Sequence, residues 1–68
     1  MTQYCIFLGG NIINVISAES DKAAAKVIAA MYAHPEAFLA VPSDQADQKA
    51  KLLSIKMLEE SCKARGIE

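Results

Sequence analysis

The sequence predicts a single α+β domain, residues 1–68, in which an N-terminal β-hairpin packs with two helices in the order β-β-α-(β)-α. Three observations predict it. Two β-branched and aromatic runs, Tyr4 to Leu8 and Ile12 to Ile16, flank Gly9-Gly10-Asn11. An alanine-rich stretch from Asp21 to Ala33 carries apolar residues at helical spacing. A second helical stretch runs from Asp44 to Arg65 and meets Gly66, a residue suited to the position just past a helix end.

In the hairpin, Gly9-Gly10 and Gly10-Asn11 both supply the positive φ angles of a tight turn. Strict alternation then puts Tyr4, Ile6, Leu8, Ile13 and Val15 on one face, and Cys5, Phe7, Ile12, Asn14 and Ile16 on the other. A half-exposed hairpin alternates apolar with polar. Here both faces are mostly apolar, so each needs a cover.

Ser20 is placed to cap the first helix, with Asp21 at the positive end of its dipole. Ala24, Val27, Ile28 and Met31 form its core stripe. Pro35 disfavours helical geometry at His34 and so ends it. The stretch Phe38-Leu39-Ala40-Val41 between Pro35 and Pro42 reads either as a short third strand or, with Pro35 at a first helical position, as a helical turn. Ser43 is expected to cap the last helix, and Ala46, Ala50, Leu53, Met57 and Ala64 to share its inner face. Leu52 and Ile55 lie largely opposite that face, and Lys49, Lys56, Glu60 and Lys63 form a solvated stripe.

Composition narrows the function. Seven Lys and Arg balance eight Asp and Glu, for a net charge of -1. That leaves no basic footprint for nucleic acid. No apolar run approaches the ~20 residues of a membrane span. Met1-Thr2-Gln3-Tyr4 lacks the basic stretch of a secretory signal, so the expectation is a cytoplasmic protein whose Cys5 and Cys62 stay as thiols. Two Cys and one His do not make up the ~4 ligands of a structural zinc site. Neither a metal nor any other cofactor is expected.

No residue set carries a reaction. Cys5 lies among apolar neighbours in a strand, where a free thiol is commonly a small buried hydrophobe. The one histidine, His34, sits at a helix end, where it suits a capping role. Asp44, Asp47, Glu59 and Glu60 fit helix-dipole and surface pairing better than acid–base chemistry. Gly9-Gly10 lies between strands and matches neither phosphate-binding glycine pattern.

The sequence reading is therefore a non-catalytic protein-interaction module, an inhibitor that occludes a larger protein in the manner of a phage-type anti-defence protein. The alternative is an oligomer holding a small molecule or nucleotide at a subunit interface. The residues expected at an interface are Phe7, Ile12, Ile16, Leu52 and Ile55. Covering Phe7, Ile12 and Ile16 is worth roughly 5–8 kcal/mol before association costs. The partners expected are a second copy, as a homodimer, and a larger protein. The competing possibility is that the two helices sandwich the sheet within one chain.

Overall fold

The structure, a computed structural model, describes residues 1–66. Strand β1 (Thr2–Leu8) turns back as β2 (Asn11–Ala18), helix α1 (Asp21–Met31) follows, and β3 (Leu39–Pro42) precedes helix α2 (Gln48–Ala64). The sheet order is β2-β1-β3, with β1 antiparallel to both neighbours. The edge strands β2 and β3 are thus parallel to each other, and α1 is the crossover that antiparallel hairpins do not need.

Gly9 (φ 59°) and Gly10 (φ 89°) form the two-residue turn. Side chains rarely adopt these angles, and added bulk would also crowd helix α2. A Cβ on Gly10 would lie 2.9 Å from Ile55 Cγ1, and one on Gly9 would lie 2.9 Å from Leu58 Cδ2. The turn is therefore both a reversal of the chain and a point where α2 touches the hairpin.

The pairing departs from strict alternation. Phe7 faces Ile12, but Ile6 faces Asn14, which leaves Ile13 as a bulge. Past that point every β2 side chain changes face. Ile16 and Asn14 join Tyr4 and Ile6 on one side, while Val15 joins Cys5 and Phe7 on the other. The expected grouping of Val15 with Tyr4, and of Ile16 with Phe7, is corrected accordingly. The run Ile12-Ile13-Asn14-Val15-Ile16 has no polar alternation to pin the register, so hydropathy could not choose it.

Helix α1 covers the first face. Tyr4, Ala18 and Ala24 form a buried cluster there, with Ile16, Ala23 and Ala40 against it. Helix α2 covers the second, where Cys5, Phe7 and Ala50 are buried with Leu39, Val41 and Ala46 alongside. The two helices sandwich the sheet within one chain and cover the central strand on both faces.

Ser20 caps α1 as expected, its Oγ accepting the Ala23 N–H at 3.1 Å. The core stripe holds at Ala24 and Ile28 but not at Met31, which is half exposed because the helix ends there. Between Pro35 and Pro42 both readings occur in series. Pro35–Ala37 is a 3-10 turn with proline at its start, and β3 follows. Phe38 between them stacks on Tyr32 with ring centroids 4.2 Å apart.

Helix α2 starts later than expected. Ser43–Gln45 forms a separate 3-10 turn, and Asp47 is the cap, its Oδ1 accepting the Ala50 N–H at 3.1 Å. Gly66 (φ 75°) follows the last turn, in the role expected of it. The inner line of α2 also differs. It runs through Ala50, Ser54 and Ser61, while Leu53 is half exposed. Among the described residues, no helix is long and apolar enough to cross a membrane.

Candidate interaction surface

The sheet face under α2 is covered unevenly. Ala46 and Ala50 pack over β1 and β3, against Cys5, Phe7, Leu39 and Val41. The β2 side chains on this face are Ile12, opposite Phe7, and Val15, opposite Cys5. Each is 51% exposed. Bulged Ile13 is exposed as well. An apolar strip thus borders a finished core.

The strip lies on an edge strand whose composition is unusual for an edge. Asn11–Ala18 contains no charge and no proline, although these are the usual devices that keep edges from pairing. One outward donor is met locally: the Val15 N–H donates to its neighbour's Asn14 Oδ1 at 2.9 Å. The opposite edge, β3, has four residues and ends at Pro42.

The residues expected at an interface separate into distinct environments. Ile12 lies on the exposed strip. Leu52, 56% exposed, projects from the outer side of α2. Ile55 is half-buried against Gly10 at the hairpin turn. Ile16 packs on the α1 cluster, the opposite face from Ile12. Phe7 is 4% exposed beneath α2, so the chain itself supplies the cover that Phe7 was expected to find elsewhere. Val15 belongs with Ile12 and was missed, because only the bulge brings it to that face.

Two buried serines tie α2 to the rest of the fold, Ser54 to the hairpin turn and Ser61 to the 3-10 turn Pro35–Ala37, and neither stood out in the sequence. Ser54 is fully buried, accepts the Gly10 N–H at 2.9 Å and donates to the Lys51 carbonyl at 2.7 Å. Ser61 donates to Glu36 Oε2 at 3.3 Å. The signal that could have found them is spacing: small residues Ala50, Ser54 and Ser61 recur at i, i+4 and i+11 along one helix line.

The remaining polar groups are structural in geometry. The Tyr4 hydroxyl donates to Asp21 Oδ1 at 2.9 Å, tying β1 to the first turn of α1. That hydrogen bond, then burial, then the carboxylate's charge push the Tyr4 phenol above its ordinary 10.0. His34 Nδ1 lies 3.9 Å from Glu36 Oε2, both side chains about half exposed. Cys5 packs among Phe7 and Ala50, and both cysteines are free. Among the described residues, no group of three or more His, Cys, Asp and Glu is placed to hold a metal ion. An open hollow of about 340 Å³ lies beside α1, lined by Asp21, Ile28, Pro35, Glu36, Phe38 and Ala40 among others.

Fold and surface together define a small α+β domain whose sheet presents an uncharged apolar edge. No family model matches the chain, and no curated protein or solved structure does either.

Proposed function

We propose that this chain is a non-catalytic protein-interaction module that docks a larger protein on the β2 strip. The observation that carries the reading is the half exposure of Ile12 and Val15 on an edge strand without charge or proline. Full burial of such a side chain is worth about 1.5–3 kcal/mol. Roughly half of that is still available at each position. The inhibitor form of this reading places the strip over a working surface of the partner, as an anti-defence protein would. A reducing cytosol suits it, since both cysteines are free thiols.

The test compares the wild type with the double variant Ile12→Asp, Val15→Asp as bait. Both positions are half exposed, so the variant is expected to fold, with an unchanged circular dichroism spectrum. A protein retained by the wild type and lost from the variant is the expected result. Retention of the same proteins by both baits would remove the β2 strip from the reading.

A further inference from the structure

Resting on the reading of β2 as an interaction surface, we infer that the strip is completed by a second copy of this chain. The two β2 strands pair antiparallel about a twofold axis, and two three-stranded sheets become one of six strands.

The contrast between the sheet's two edges selects β2. Strand β3 offers four residues and ends in a proline that has no N–H to donate. Strand β2 is eight residues long without a proline, and alternate N–H groups along it face outward. An exposed edge of that length is a template for another strand unless charge, proline or a cover blocks it. Bulged Ile13 is the single irregularity along it, and it lies near the hairpin turn. The residues beyond it, Asn14–Ala18, continue in regular register.

What selects a second copy is self-complementarity. An antiparallel strand paired with itself is isologous, so each copy gives the bonds it receives. Asn11–Ala18 carries no charge, and two copies therefore meet there without like-charge repulsion. The Val15 N–H donates to Asn14 rather than to β1. By the alternation of an antiparallel strand, Ser17 presents its N–H on the same outer side. These are the donors a second strand takes, displacing the Asn14 carboxamide from Val15.

The pairing also extends the strip. A twofold axis perpendicular to the sheet keeps the α2 faces of both copies on one side. The two uncovered β2 strands then lie next to each other, about 4.8 Å apart. Ile12 and Val15 of one copy join Ile12 and Val15 of the other in a single apolar floor between the two α2 helices. The docking surface for a larger protein is then built from both chains and is incomplete in either alone.

Sedimentation equilibrium on the full chain, with amide hydrogen exchange at several protein concentrations, tests the pairing. The wild type is expected to be a dimer, with exchange at Val15 and Ser17 slowing as concentration rises. Val15→Lys places two ammonium groups near the axis from a half-exposed position and is expected to be a folded monomer. Should that variant unfold, Ser17→Lys puts the same charge on the same edge from an exposed site. A wild type that stays monomeric at its highest soluble concentration overturns the pairing. So does a dimer whose Val15 and Ser17 amides exchange at a concentration-independent rate. A monomer that still retains a partner through Ile12 and Val15 overturns the pairing while the interaction reading stands. A β2-paired dimer that retains no other protein supports the pairing and removes the docking of a larger one.

Discussion

Ser54 does at the scale of one residue what the fold needs between its two halves. Its buried hydroxyl accepts the Gly10 N–H, which no strand partner reaches at the turn, and donates its own hydrogen bond to the Lys51 carbonyl. Ser54→Ala leaves the Gly10 donor buried without a partner. The expected cost is about 1–3 kcal/mol, read by urea unfolding; a change within error would mean water reaches Gly10. Tyr4 yields a second prediction, on alkaline stability. Its folded pKa is raised above the ordinary 10.0, so the folded state prefers the protonated phenol. That contribution is complete below pH 10 and is lost as pH rises through the raised folded value. Wild-type stability should therefore fall more steeply with pH in that window than that of Tyr4→Phe, which has no proton to release. Parallel curves for the two proteins would mean the Tyr4–Asp21 bond does not persist in solution. At this scale the sequence was informative about the turn glycines and silent about the two serines inside α2. Gly9-Gly10 announces its backbone angles by residue type, whereas a helical serine reads as polar surface until a tertiary donor such as Gly10 is known.

At the scale of elements, capping decides where each helix begins, and the two helices tested that logic differently. Ser20 caps α1 where the sequence placed a cap. For α2 the expected cap was Ser43, and the chain instead uses Asp47 after a 3-10 turn. Asp47→Ala is expected to destabilise by about 1 kcal/mol, the usual cost of losing a side-chain cap. Ser43→Ala, with no helix N–H to hold, should change stability by much less, and the reverse order in thermal unfolding would move the start of α2 back to Ser43. The hairpin and both helices were legible because turn glycines and alanine periodicity act locally, while the bracketing prolines left strand and helical turn both open and the chain forms one after the other. The bulge was not, since it rearranges side chains that are apolar on either face. That one unpaired residue, Ile13, also hid half of the candidate surface: it carries Val15 to the strip beside Ile12 and takes Ile16 away to α1. Phe7 was misplaced for a related reason. Its face does need a cover, and α2, whose inner line turned out to be alanine and serine, approaches closely enough to provide it.

For the molecule as a whole, the question is what holds together a chain that buries only about 60% of its unfolded surface, as domains of this length do. No disulfide contributes, because Cys5 and Cys62 are both free. The sandwich of α1, sheet and α2 encloses the residues of β1 almost completely, from Tyr4 to Phe7, yet leaves β2 half finished. Stability is therefore concentrated on the central strand, and the edge is where association can add most. Any association that engages the folded state and not the unfolded chain raises stability by mass action. If two copies pair through β2, the wild-type Tm rises with protein concentration, because dilution releases the stabilising partner. Val15→Lys removes that dependence, and its Tm should match the wild-type value at the dilute limit, since the substituted side chain is half exposed in the single chain. A thermal-unfolding series over a wide concentration range reads both slopes in one experiment. A wild-type Tm that does not move with dilution would show that the sandwich is sufficient alone, with the strip on β2 serving a different protein or none.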